Sequence, residues 1–389
     1  MSSSNARISF ARGGQMVAWT VACLVACGGD GVDTDSYENP GPHPVGNATV
    51  VATDSARGRE LTIELWFPAD EAARAQAEQG HPVADFVADS GQRAQYQQLL
   101  DSAPAGCPSL RTRSARDAQA ATAPSEGWPL VVFSHCHECV RFSSFSIAER
   151  LASHGFVVAA PDHAGNTLFD GLAGTGVPLD TDFLQVRAGD VSFVLDVLLD
   201  AESVEVPEGL RGRLRADQVG VLGHSFGAVT SGLVVQDDPR VAAALAMASP
   251  MENPFLPGVL MSAIDKPVGF LVAVEDNSIT EFGNRFMRDN FAASTQVAWK
   301  GEVIDAGHWS FSDVAGLHEP FLPGCGQAMR QTDGTDFTYL DVSTANAIVQ
   351  AYATAFFREH VAGLDGQAYL QGTHAWQDIL VDIRDPETE

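Results

Sequence analysis

From about residue 45, short continuous apolar runs alternate with longer stretches in which apolar residues recur every three or four positions. "PLVVFS" (129–134), "FVVAAP" (156–161), "QVGVLG" (218–223), "VAAALAM" (241–247), "VGFLVAV" (268–274) and "VAWKGEVI" (297–304) are of the first kind. Such runs suit strands covered on both faces, as in a parallel sheet. "SIAERLASHG" and "ANAIVQAYATAFFREHV" are of the second kind, as is the stripe Val191, Val194, Leu195 and Leu198 at i, i+3, i+4 and i+7. These predict helices, the first closed by Gly155. "ATVVAT" and "ELTIELWFP", joined by "DSARGR", predict an opening hairpin. Strands separated by helix-length spacers imply a mostly parallel sheet with helices on both faces. Residues 70–127 and 311–341 break the rhythm and are expected as insertions over one edge or mouth of the sheet. There is no internal repeat and no second core, so 45–365 is expected as one domain, with 27–44 a linker and 366–389 a partly ordered tail.

The N-terminus follows a different rule. Arg7 and Arg12 precede the apolar run "MVAWTVACLVA", which ends in "LVAC", Leu24 to Cys27, before "GGDG". A run of this length fits a signal-peptide core and is too short to span a bilayer. The ending resembles a bacterial lipobox, so residues 1–26 are expected as a lipoprotein signal and Cys27 as the lipidated residue. The protein is then exported and anchored in the bacterial cell envelope, or, with an ordinary signal, secreted. Four cysteines remain, Cys107, Cys136, Cys139 and Cys325, and four allow three disulfide connectivities. A local Cys136–Cys139 loop with a long-range Cys107–Cys325 staple is the favoured one.

Charge narrows the partners. The chain has 389 residues, 45% hydrophobic, with a formal net charge of -27 and only Lys266 and Lys300 as lysines. A phosphate-binding surface needs clustered positive charge, so nucleic acid is excluded as a partner.

Chemistry concentrates in "VGVLGHSFGAVT" (219–230). Gly223-His224-Ser225-Phe226-Gly227 matches G-x-S-x-G between a strand and a helix, where a tight turn would project the Ser225 hydroxyl. A serine needs a base, and His308 in "VIDAGHWSF" follows the last apolar strand. The base needs an acid from the preceding strand end, "VGFLVAVEDNSI". Asp276 is expected to turn back toward His308, with Glu275 left on the rim as a solvated carboxylate and Glu252 as the alternative acid. The backbone N–H groups of Phe226 and of His137, in "FSHCHECVRFSS", are expected to form the oxyanion hole, with Cys136 next in line. His135, Cys136, His137 and Cys139 are all ligand types. They crowd too closely in sequence to converge on one ion, and no metal or other cofactor is expected. Phe255, Leu256, Trp309 and Phe311 are candidates for an apolar pocket lining, or for core.

"GPHPVGNATVVATDSARGRELTIELWFPA", "VVFSHCHE", "SSFSIAERLASHGFVVAAPDHAGNT", "GVLGHSFGA" and "GHWSFSD" together resemble the α/β-hydrolases related to platelet-activating-factor acetylhydrolase and dienelactone hydrolase. The resemblance runs over roughly residues 41–365. It implies an α/β-hydrolase fold and a serine esterase for short-chain or oxidised acyl groups, without a cofactor, acting on a small-molecule or lipid ester. Two departures stand out. Cys136 replaces a glycine in the oxyanion loop. Ala248 and Ser249 occupy the place of the acetylhydrolases' acid, which moves the expected acid to Asp276. An extracellular polyesterase or lipase is an alternative within the fold. A non-catalytic, lipid-anchored binding protein is the alternative from another class, and its mark would be a Ser225 that ignores a fluorophosphonate.

Overall fold

The computed structural model describes residues 37–386; the signal-peptide and Cys27 readings fall outside them. β1 (Val45–Asp54) and β2 (Arg59–Pro68) form the opening hairpin. β3 (Trp128–Ser134), β4 (Val157–Pro161), β5 (Leu214–His224), β6 (Val241–Met247), β7 (Val268–Ala273) and β8 (Ala298–Val303) run parallel to one another. The order across these eight strands of the sheet is β8-β7-β6-β5-β3-β4-β2-β1, and a two-residue strand at Ala115–Arg116 pairs with β1 beyond them. The antiparallel hairpin extends it beyond β4.

Along each parallel strand the apolar run divides by alternation between the two faces. In β3, Val131 and Phe133 join one core cluster while Leu130 and Val132 join the other. The first core takes residues of α2 (Phe145–Ser153) and α6 (Val342–His360). The second takes those of α3 (Thr181–Leu199), α4 (Phe226–Asp237) and α5 (Thr280–Ala293). The stripe Val191, Val194, Leu195 and Leu198 is buried in that second core, each residue contributing about 1.5–3 kcal/mol. α1 (Ser90–Ser102) lies within the first insertion.

The two insertions are tied to each other. Ser109 N–H donates to the Asp313 carbonyl at 2.9 Å, and a disulfide joins Cys107 to Cys325 with a Cα–Cα distance of 5.8 Å. A second disulfide joins Cys136 to Cys139. The C-terminal stretch, for which the sequence offers no element, supplies β9 (Ile379–Arg384), antiparallel to β8 at the sheet edge. The sheet thus continues past residue 365. Among the described residues no helix is long and apolar enough to cross a membrane.

Candidate active site

The turn from β5 into α4 holds Ser225 at φ 57° and ψ -119°. L-residues avoid this region at a cost of order 1–3 kcal/mol, so the surrounding structure must enforce it. The two glycines of the motif show how. A Cβ on Gly223 would lie 1.9 Å from the Gly227 carbonyl oxygen, and one on Gly227 would lie 1.8 Å from the Ser134 carbonyl oxygen. The elbow therefore closes on itself and packs against the end of β3, approaches open only to glycine. Ser225 N–H donates to the Met247 carbonyl at the end of β6, 2.9 Å away.

His308 follows β8, and the second insertion folds back over it. Trp309 N–H donates to the Pro323 carbonyl, and Ser310 Oγ to that of Gly324, both across the start of the insertion. His308 Nε2 lies 2.9 Å from Ser225 Oγ, and its Nδ1 lies 2.7 Å from Asp276 Oδ2. Asp276, fully buried after β7, also accepts the Ser278 and Ile279 N–H groups on Oδ1 at 2.8 and 2.9 Å. An ionised carboxylate satisfied this way accepts Nδ1–H, which leaves Nε2 free to take a proton from Ser225.

The neighbouring acids do something else. Glu275 is buried and pairs with Arg330 at 2.8 Å, so it is not the solvated rim carboxylate expected. Glu252 accepts the Met261 N–H at 2.6 Å and closes its own loop. His224 is buried, its Nε2 2.8 Å from the His308 carbonyl oxygen. Burial and the adjacent His308 push its pKa down to about 3, so it is a neutral donor beneath the site.

The loop after β3 lies against the elbow. The His137 ring centroid is 6.3 Å from that of Phe226, and its Nδ1 accepts Asn166 Nδ2–H at 2.6 Å. His135 is buried, its Nδ1 donating to the Cys136 carbonyl at 2.7 Å, its Nε2 accepting the His163 N–H at 3.1 Å. With Cys136 and Cys139 joined, the four ligand-type side chains of this loop face separate partners.

The apolar candidates are not brought together. Leu256 and Phe311 are core, and Trp309 is buried edge-on to His308 and His224. Phe255 alone is exposed, grouped with Phe282 and Phe286 of α5 at ring distances of 4.8–6.4 Å.

Sequence reading missed Arg187, which is fully buried on α3. Its signal was legible: Leu184, Arg187, Val191 and Val194 lie on one helical stripe, so a charge interrupts an apolar face. The guanidinium donates to Thr230 Oγ1 (3.2 Å), Asn166 Oδ1 (2.7 Å), Ser134 Oγ (3.0 Å) and the His135 carbonyl, and sits 4.5 Å over the Phe226 ring. Burial pulls its pKa down to about 9, still a cation at neutral pH.

Three likenesses bear on this arrangement. A family model for platelet-activating factor acetylhydrolase, isoform II, matches residues 32–169, which hold the loop after β3 but end before Ser225. Platelet-activating factor acetylhydrolases from Bos taurus (28% identical over 172 residues) and Canis lupus familiaris (27% over 179) align with 36% and 38% of this chain. The alignments span only 38% and 40% of those relatives' own lengths. A ferulic acid esterase structure from Streptomyces cinnamoneus superposes with a TM-score of 0.64 at 24% identity, over 87% of this chain and 96% of that one. That superposition establishes the fold.

Proposed function

We propose that this α/β-hydrolase, related over its N-terminal part to the platelet-activating factor acetylhydrolases, is a serine carboxylic-ester hydrolase for short-chain acyl groups. The observation that carries the reading is the Asp276–His308–Ser225 chain, at 2.7 and 2.9 Å, ending on a serine held at positive φ.

In this mechanism His308 Nε2 takes the Ser225 proton as Oγ bonds to the ester carbonyl carbon. The carbonyl electron pair moves onto oxygen, and the backbone N–H groups of Phe226 and His137 stabilise it, one such donor contributing roughly 3 kcal/mol. The tetrahedral species expels the alkoxide, which leaves with the proton from His308. Water then attacks the acyl-Ser225 ester by the same route and frees the acid. Asp276 stays ionised throughout, holding the imidazole's orientation. Export and a lipid on Cys27, with secretion as the alternative, complete the proposal; detergent-phase partitioning of wild type and Cys27→Ala tests the anchor.

The test of the chemistry is hydrolysis of p-nitrophenyl esters from acetyl to dodecanoyl, with Ser225→Ala in parallel. Turnover confined to short chains and reduced by about 10⁶-fold in Ser225→Ala supports the reading. Turnover reaching long chains shifts it toward a lipase or polyesterase. Equal rates in both proteins remove it.

A further inference from the structure

A buried cation on the apolar face of a helix is costly, and here every partner it finds belongs to one region. Arg187 sits at the junction of the two residues read above as oxyanion donors. Its guanidinium stacks on the Phe226 ring. Through Asn166, which accepts from Arg187 on Oδ1 and donates to the His137 ring from Nδ2, it also reaches His137.

Its contact with the loop backbone adds a directional constraint. Arg187 Nη2–H donates to the His135 carbonyl. In a trans peptide the carbonyl and the following N–H point in opposite directions. No peptide bond of the described residues is cis, so the Cys136 N–H faces away from Arg187. The next peptide is gripped likewise, because His135 Nδ1–H donates to the Cys136 carbonyl, which turns the His137 N–H away from the His135 ring. The Cys136–Cys139 disulfide closes the loop from its other end. Both amides that can serve as second oxyanion donor are therefore oriented from behind, one by Arg187 and one by His135.

Arg187 is itself held by a relay of buried side chains. Nη2 donates to Ser134 Oγ, whose hydroxyl donates to His163 Nε2 at 3.0 Å; His163 Nδ1–H donates to Asp190 Oδ2 at 3.0 Å. Arg57 and Arg59 bind the same carboxylate at 2.9 and 2.7 Å. Arg57, partly exposed, also pairs with Asp54, so the buried end of the relay is Asp190, which Arg187 reaches through Ser134 and His163.

We propose that Arg187 is a positioning residue for the oxyanion hole, orienting the His135–Cys136 peptide and the Phe226 and His137 donors for the developing negative charge. The proposal rests on the esterase reading above.

The experiment compares wild type, Arg187→Met, Arg187→Gln and Arg187→Lys by kcat and KM on p-nitrophenyl acetate, by the rate of Ser225 labelling with a fluorophosphonate, and by thermal unfolding. Donors that act only on the transition state change kcat and spare KM. Arg187→Met is expected to lose about 100-fold in kcat and in labelling rate, with KM within about threefold. Arg187→Lys is expected to recover about tenfold of that loss, since it restores the charge but not the fork. A merely structural arginine would lower the unfolding temperature and leave kcat of the folded enzyme unchanged. A folded Arg187→Met with kcat within about threefold of wild type therefore overturns the proposal. Should Arg187→Met fail to fold, Arg187→Gln, which keeps a donor without charge, carries the test with the same thresholds. A wild type that neither turns over esters nor labels overturns the esterase reading and this proposal together; an active wild type with unaffected variants overturns this one alone.

Discussion

The molecule contains the same hydrogen-bonded sequence twice. Asp276–His308–Ser225 has spacings of 2.7 and 2.9 Å, and Asp190–His163–Ser134 has spacings of 3.0 and 3.0 Å. Distances alone do not tell the two apart; surroundings do. Ser134 lies at the end of β3, 2% exposed, and its oxygen also accepts from Arg187. Ser225 sits on a strained turn, half-buried, with His308 Nε2 as the partner of its Oγ. Asp190 answers Arg57, Arg59 and His163 at once; burial alone would raise its pKa, yet the hydrogen bonds from His163 and Arg59 hold it down at about 2. A carboxylate, an imidazole and a hydroxyl in line do chemistry only where the hydroxyl can meet a substrate and the imidazole can hold a proton. In the second chain, burial and the nearby Arg187 push the His163 pKa down to about 4, and the same atoms become scaffolding.

The sharpest way to break this contrast is to neutralise each carboxylate. Asp276→Asn is expected to lower kcat on p-nitrophenyl acetate about 10⁴-fold with little change in thermal unfolding. Asp190→Asn is expected to cost about 3–5 kcal/mol of stability, because Arg59 loses its buried counter-charge, Arg57 keeps only Asp54, and the relay to Arg187 loses its anionic end. Reversed outcomes, read from kinetics and denaturant melts of both variants, would exchange the two roles. A smaller change separates the hydroxyls. Ser134→Ala is expected to cost about 1–3 kcal/mol in stability, through two lost buried hydrogen bonds, and to keep kcat within about tenfold of wild type. A collapse of kcat to the level of Ser225→Ala would make Ser134 part of the chemistry.

The smallest expected effect is in the pH dependence of stability. His163 has a native pKa of about 4 against an ordinary 6.5, so between those values the unfolded chain binds the proton and the native one does not. Its contribution is fully present above about pH 6.5 and is lost as pH falls toward 4. His135 and His224, also pushed down by burial, act with the same sign. Thermal melts from pH 8 to pH 4 should show falling stability on the acid side, with a slope that His163→Asn reduces by on the order of 2 kcal/mol in total. An unchanged slope would mean that His163 carries a proton in the native state.

Much of this was written in short stretches of chain. The alternation of apolar runs with helical stripes specified a mostly parallel sheet, because a strand buried on both faces must be apolar throughout and its connecting helix must be apolar on one. Gly223 and Gly227 marked a turn that no other residue can make, for backbone reasons the structure makes explicit. The order of Ser225, Asp276 and His308, each after a strand end, was likewise readable, since those strand ends share one edge of a parallel sheet.

Other features needed the fold. β9 forms because β8 leaves an edge to pair with, and nothing in "ILVDIR" announces its partner. Glu275 is ion-paired because Arg330, far along the second insertion, folds back onto it. Arg187 showed itself in the sequence only as a charge out of place on an apolar stripe. Its partners come from β3, from the loop after β4, and from α4. Periodicity records which face of an element is buried, a local property of the chain. Which polar groups meet inside depends on the stacking order of the strands, and that order exists only once the sheet has formed.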